Sequence, residues 1–123
     1  RLIARLARSS AEAGAGYLQR VTVSRGNDAL IVMRDDIVFL EADTKYTRVA
    51  TQRASGLVKM GINELSSRLP RDQFVRIHRS HVVNLRFIDR VRRNELGHME
   101  VHLNGRAEVL RVSKPYEHLF KPD

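Results

Sequence analysis

The side chains best suited to bind a ligand are concentrated in residues 74–84, which read Phe-Val-Arg-Ile-His-Arg-Ser-His-Val-Val-Asn. The planar guanidinium of arginine can donate two parallel hydrogen bonds to phosphate oxygens or to the O6/N7 edge of guanine. Imidazole, hydroxyl and amide groups are common partners of phosphates and base edges. The pattern therefore indicates a nucleic-acid contact, although charge alone would also fit a solvated basic face.

Arginines extend this basic region along the chain. Residues 71–93 hold seven arginines against two aspartates, Asp72 and Asp89; the arginines are Arg71, Arg76, Arg79, Arg86, Arg90, Arg92 and Arg93. The whole chain of 123 residues carries 22 Lys and Arg against 14 Asp and Glu, a formal net charge of +8. This balance predicts an anionic partner, with nucleic acid first and an anionic membrane surface second.

Composition also limits the chemistry. The chain has no cysteine, which excludes disulfide frameworks, thiolate metal sites and cysteine nucleophiles and fits a cytoplasmic location. The longest apolar runs, residues 29–33 and 37–40, are far too short to span a membrane. We therefore expect a soluble cytoplasmic domain that makes no membrane contact.

Short strands must position these side chains. Residues 1–19 are interpreted as the end of an upstream helix and a linker, and residues 20–123 as one domain. Within it, alternating or short apolar segments predict roughly nine strands, and Ile62, Leu65 and Leu69 predict one helix ended by Pro70. Turns are expected at 25–28, 55–56 and 94–97, with a type I′ hairpin turn at Asn104-Gly105. Residues 113–120 are expected to form a short final helix, so the fold class is all-β or β-dominated.

Four segments in order resemble the LytTR family, the DNA-binding domain at the C-terminus of many bacterial response regulators. The pattern Phe74-x-Arg76-x-His78-Arg79-Ser80-x-Val82-Val83-Asn84 resembles the family signature. Residues 36–46, 65–74 and 112–116 resemble its early strand and loop, its helix and connection, and its closing segment. The resemblance covers residues 17–120.

This resemblance implies an elongated fold of small antiparallel sheets with one or two short helices, which inserts loops into successive major grooves of double-stranded DNA. It also implies an upstream receiver or other regulatory domain, and a homodimer on repeated DNA sites. It places DNA contacts in three segments: Lys45, Tyr46, Thr47 and Arg48; Arg76, His78, Arg79 and Ser80; Ser113 and Lys114.

Roles within these segments follow from side-chain chemistry. We expect Arg79 and Arg48 to contact base edges, and we expect phosphate contacts from Lys45, Arg76, His78 and Lys114. The family commonly has Ser-Arg in the third segment, and Lys114 lacks the guanidinium fork needed for base discrimination. Asn84 is interpreted as a structural hydrogen-bonding residue.

Three other functions compete with duplex binding. A metal site could use His78 with His81 or His98 with His102, but the latter pair would lie about 13 Å apart on a strand. An enzyme has little support. Asp35-Asp36 could suggest a phosphoacceptor site, but the chain lacks the alternating strands and helices of a phosphoacceptor domain. A single-stranded DNA- or RNA-binding β module remains the strongest alternative, although seven aromatic residues and no tryptophan offer few surfaces for base stacking. No cofactor is expected.

Overall fold

Antiparallel strands are the main elements of the computed structural model, which describes residues 16–122. Their bounds are β1 Arg20–Arg25, β2 Asp28–Met33, β3 Ile37–Asp43, β4 Tyr46–Thr51, β5 Ser55–Val58, β6 Phe74–His78, β7 His81–Asn84, β8 Ile88–Arg93, β9 Met99–Leu103 and β10 Val109–Arg111. One sheet has the order β2-β1-β5-β4-β3-β7-β6 and the other the order β10-β9-β8. The β-dominated fold class predicted from the sequence is confirmed.

The helical segments are short. Helix α1 covers Ile62–Ser67, and 3₁₀ helices cover Arg34–Asp36, Leu85–Phe87 and Lys114–Phe120. All three apolar residues that predicted α1 are buried, including Leu69 just beyond its end. The predicted C-terminal helix is present as a 3₁₀ helix with Pro115 in its first turn, a position where proline costs no hydrogen bond.

The hydrophobic core lies on both faces of the seven-stranded sheet. On one face, Leu40 packs in a cluster with Leu65 near α1. On the other face, Phe39 packs in a cluster with Val101 of the three-stranded sheet. Strand β3 is therefore covered on both sides, which explains why residues 37–40 form an uninterrupted apolar run.

Tight turns bring the chemically interesting residues to one end of the large sheet. Thr44-Lys45 joins β3 to β4, and Arg79-Ser80 joins β6 to β7. Strand β3 pairs with β7 so that Glu41 lies opposite His81, and the two turns are therefore neighbours. Thr44 has a φ of 43°, a left-handed conformation that threonine seldom adopts.

Two predicted turns differ from the structure: the turn at Asn104-Gly105 is present but is not type I′, and the turn at 55–56 is absent. A type I′ turn needs a positive φ at both central residues, but of the Asn104-Gly105 pair only Gly105 has one, at 69°. Residues 104–108 form a longer loop, in which the guanidinium of Arg106 donates to the carbonyl of Thr51 on the other sheet. The predicted turn at 55–56 belongs instead to β5. Gly56 is required there because a Cβ would meet Cγ2 of Val23 at 2.4 Å.

The predicted linker falls mostly outside the described residues, since residues 1–15 are not among them. Leu18 already belongs to the packed domain, because its N–H donates to the carbonyl of Arg68 at 2.8 Å and its side chain packs against the core. Within residues 16–122 no helix is both long and apolar enough to cross a membrane.

Candidate nucleic-acid interface

Main-chain hydrogen bonds draw the three predicted contact segments together. The N–H of Ala42 donates to the carbonyl of Ser80 at 2.9 Å, which links the first turn to the second. The N–H of Ser113 donates to the carbonyl of Ile77, also at 2.9 Å, which links the third segment to the second. Segments separated by more than 30 positions in the sequence therefore form one continuous surface.

The first segment divides into exposed and internal residues. Lys45 and Tyr46 are exposed. Thr47 is 0% exposed, and its hydroxyl donates to the carbonyl of Met60 at 2.7 Å. Arg48 donates to Glu41 at 2.9 Å and to Ser55 at 2.8 Å. Lys45 and Tyr46 are thus available to a ligand, whereas Thr47 holds the β4 end of the turn in place.

The guanidinium of Arg48 also contacts the aromatic ring of Phe39. Its guanidinium carbon lies 5.4 Å from the centre of the Phe39 ring, a distance at which a cation is attracted to the aromatic face. Together with the bonds to Glu41 and Ser55, this contact fixes the side chain against the sheet. A base contact by Arg48 would require it to leave these partners.

The second segment presents Arg79 and restrains Arg76. Arg79 is exposed, and its guanidinium has no hydrogen bond or ion pair with any residue in 16–122. Arg76 donates to the carbonyls of His78 and Arg79 and to the side chain of Asn63. Arg76 therefore closes the turn and ties it to α1, and Arg79 is left at its tip.

The third segment meets the second at the start of the last 3₁₀ helix. Ser113 is half-buried, and its main chain is bonded to Ile77. Lys114 is exposed at the first position of the helix. The predicted pair therefore contributes one anchoring residue and one exposed cation.

A carboxylate that the sequence did not suggest connects the first two segments. Glu41 accepts from Arg48 through Oε1 and lies 3.1 Å from Nε2 of His81 through Oε2. Burial raises the pKa of Glu41, but the hydrogen bonds and charges of Arg48 and His81 outweigh it and leave the pKa below its usual value. Only the pairing of β3 with β4 and β7 reveals this role, because Glu41 is seven residues from Arg48 and 40 residues from His81 along the chain.

Further cations border this surface. Arg111 lies close enough to His78 for its charge, after burial and the charges of His81 and Arg79, to help lower the pKa of His78. Lys59 is exposed directly after β5, and Val58, the last residue of β5, pairs with Thr47 of β4. The sequence analysis missed both residues. Arg111 could have been found from the sequence, because it lies two residues before Ser113. Residues two apart on an extended chain share a side.

The competing sites can also be located. Among residues 16–122, no group of three or more His, Asp or Glu side chains is arranged to hold a metal ion. His102 lies 3.9 Å from Glu100. Of the described aromatic residues, Phe39 and Phe74 are buried, and Tyr46 alone is classed as exposed.

Comparisons with known proteins identify the family of this chain. The sequence model of the LytTr DNA-binding domain matches residues 28–122. The chain belongs to this family. A solved LytTr DNA-binding domain of a putative methyl-accepting/DNA response regulator from Bacillus cereus superposes with a TM-score of 0.76 at 27% identity, covering 84% of this chain and 94% of that one.

Curated relatives of this LytTR domain are transcriptional regulators. The CO-responsive transcriptional regulator RcoM of Rhodospirillum rubrum is 32% identical over 106 residues, which are 86% of this chain and 45% of that protein. The transcriptional regulatory protein YpdB of Escherichia coli K12 is 41% identical over 73 residues, 52% of this chain and 30% of that protein. The chain thus spans less than half the length of these two relatives. The resemblance read from the sequence is confirmed, and the chain is a DNA-binding domain of the kind found in transcriptional regulators.

Proposed function

We propose that this LytTR domain binds double-stranded DNA sequence-specifically, as the output domain of a bacterial transcriptional regulator. The observation that carries the proposal is the convergence of Lys45, Arg79 and Lys114 on the surface joined by the Ser80 and Ile77 carbonyls. Three exposed cations on hydrogen-bonded supports can neutralise phosphates of a duplex. Loops presented by a packed scaffold are a common arrangement for binding residues.

Within this surface, we assign each residue a role according to whether its side chain already has hydrogen-bond partners. Arg79 contacts a base edge, because its guanidinium has no partner among residues 16–122 and sits at the tip of a two-residue turn. Lys45 and Lys114 contact phosphates. Tyr46, His78 and Ser80 line the surface between them, and Arg76, Ser113 and Arg48 serve chiefly to hold the turns in place.

Thr47 is not assigned a contact. Its side chain is fully buried and its hydroxyl is already bonded to Met60. Of the ten residues predicted from the sequence, it is the one that offers no side-chain surface to a ligand.

Duplex binding is favoured over the single-strand alternative by the aromatic residues. Proteins that bind single strands stack successive bases on several aromatic side chains. On the surface described here only Tyr46 is exposed among the aromatic residues of 16–122. One ring does not provide a stacking platform, whereas exposed cations are sufficient for groove and backbone contacts.

The rest of the regulator is proposed from its relatives. A receiver domain of a two-component system would precede this chain, in line with the response regulator named in the Bacillus cereus structure. A different sensor is the alternative, since RcoM is named as CO-responsive. Pairing of two copies on repeated DNA sites and a cytoplasmic location complete the proposal.

Selection of bound sites from random duplexes tests it directly. We expect an enriched motif, and an affinity for that motif that falls steeply as salt rises, because several phosphates are neutralised and their counterions are released. The selected duplex should outcompete either of its single strands. Equal binding of all sequences, or preference for a single strand, would refute the proposed function.

A further inference from the structure

A chain of polar contacts runs from the first turn to the second. Nε of Arg48 donates to Oε1 of Glu41 at 2.9 Å, and Oε2 of Glu41 lies 3.1 Å from Nε2 of His81. Nδ1 of His81 lies 3.2 Å from Oγ of Ser80, which lies 2.9 Å from Nδ1 of His78. All five residues are at least partly buried, so these contacts are partly shielded from water.

Counting the hydrogens limits the possible directions of this chain. The Glu41 carboxylate is an acceptor, so Nε2 of His81 must donate to it. The N–H of Ser80 donates to Nδ1 of His78 at 3.1 Å, so that nitrogen carries no hydrogen. The Ser80 hydroxyl has a single hydrogen, and it lies between two imidazole nitrogens.

Two assignments fit these contacts. If His81 carries a hydrogen on Nε2 alone, the Ser80 hydroxyl donates to Nδ1 of His81, and the Ser80 N–H donates to Nδ1 of His78. If Nδ1 of His81 also carries a hydrogen, it donates to Ser80, and the Ser80 hydroxyl donates to His78. Both assignments leave Nδ1 of His78 as an acceptor.

Both assignments place the hydrogen of His78 on the same nitrogen. With Nδ1 as an acceptor, the neutral ring carries its hydrogen on Nε2. That nitrogen has no hydrogen-bond partner among residues 16–122 and is not one of the buried polar atoms left unpaired there. It is therefore a donor open to a ligand, beside the exposed Arg79.

We propose that Glu41 is a positioning residue of the DNA interface: by accepting the Nε2–H of His81, it orders a chain through Ser80 that holds His78 as a neutral Nε2–H donor toward DNA. The proposal rests on the proposed function. It implies that His78 contacts an acceptor, such as a phosphate oxygen or purine N7.

Other charges around the two rings agree with a neutral His78. Burial, then the charge of His81, then those of Arg79 and Arg111, lower the pKa of His78. His81 faces Glu41 of β3. The centre of its ring lies 6.1 Å from that of Phe39 and 5.8 Å from that of His78, which it meets edge-on. The remaining charged groups are one step removed: Arg48, which also lies 3.9 Å from Glu108, and Arg106, which stacks over Phe39.

Nitrogen NMR of the histidine rings in the free protein tests the chain without DNA. At about pH 7.5, above the ordinary histidine pKa, we expect His78 to be neutral with its hydrogen on Nε2, and we expect Nε2 of His81 to carry a hydrogen. Glu41→Gln should change the ring-nitrogen signals of His81 and, through Ser80, those of His78. A hydrogen on Nδ1 of a neutral His78, or His78 signals that folded Glu41→Gln leaves unchanged, would overturn the proposal.

Duplex binding provides the second test, because the proposal and simple electrostatics predict opposite changes in affinity for Glu41→Gln. Removing a carboxylate from a DNA-binding surface should by itself tighten binding. We expect Glu41→Gln to weaken binding of the selected site about threefold to tenfold, the scale of one net hydrogen bond. Ser80→Ala, which breaks the chain at another link, should have a similar effect.

Glu100→Gln is the matched control, since it makes the same change beside another histidine, His102. It should leave duplex affinity and both ring signatures of His78 and His81 unchanged. Unchanged or tighter binding by folded Glu41→Gln would refute the positioning role. A wild-type chain that binds no duplex would instead refute the proposed function, and the NMR measurement would still decide the protonation pattern.

Discussion

The N–H of Ser113 donates to the carbonyl of Ile77 across 36 positions of sequence at a distance of 2.9 Å. This bond places the start of the last 3₁₀ helix beside the turn that carries Arg79. The corresponding bond from Ala42 to Ser80 places the first turn on the other side. The second turn is therefore the centre of the proposed interface, and substitutions there should have the largest effect on sequence preference.

Arg79→Ala should cost about 1–3 kcal/mol of binding free energy on the selected site and relax the preference at one base position, because a bidentate base contact is lost. Competition binding with single-base variants of the site measures both effects. Arg53→Ala, an exposed arginine beyond the opposite end of β4, is the control for loss of charge. An equal loss on every sequence would show that Arg79 contacts phosphate.

Lys45→Ala should weaken binding to all duplexes by a similar factor, because a phosphate contact carries no sequence information. The slope of log affinity against log salt should become shallower by about one. Titrations at several salt concentrations give this slope. Asp36→Ala, at the other end of β3, should leave both affinity and slope nearly unaltered.

Thr47→Val should reduce the free energy of unfolding by about 1 kcal/mol, since the carbonyl of Met60 loses its hydroxyl donor. Valine keeps the shape and the strand preference of threonine. Urea denaturation measures the change in stability. Because the side chain is buried, duplex affinity at a temperature where the variant is folded should match the wild type, and a selective loss on one site would contradict this structural role.

Asn84→Ala should destabilise the domain by about 1–3 kcal/mol. The Asn84 side chain donates to the buried carbonyl of Ile37 at 2.8 Å and accepts from the N–H of Arg86 at 3.0 Å, and alanine would leave both groups without these partners. The midpoint of chemical denaturation should fall without a change in its slope. A wild-type midpoint would show that water replaces the amide without cost.

Stability should fall toward acid pH in part through Glu41. Its pKa is lowered in the folded state, so its contribution is fully present above the pKa of an unfolded glutamate and is lost as the pH falls through the folded value. The lowered pKa of His78 acts in the same direction at higher pH, because the unfolded chain is protonated first. Unfolding free energies from pH 7 down to about pH 3 should therefore decline less for Glu41→Gln than for the wild type, and parallel curves would contradict this account.

Much of the fold could be predicted from local patterns. The alternation of Met99, Val101 and Leu103 predicted β9, and the spacing of Ile62, Leu65 and Leu69 predicted the helix, because each pattern reflects burial of one face. The turn at Asn104-Gly105 could not be predicted in the same way. The guanidinium of Arg106, next in the chain, donates to the carbonyl of Thr51 on the other sheet, and such a contact leaves no local pattern.

For the interface, the sequence by itself determined the family, the basic character and the three contact segments, because these depend on residue types in a fixed order. Only the tertiary structure decided which of those residues are free. Strand pairing buries Thr47, places Glu41 between Arg48 and His81, and leaves Arg79 unpaired at a turn. The physical reason is that exposure and hydrogen-bond partners are set by neighbours across the sheet, which lie tens of residues away along the chain.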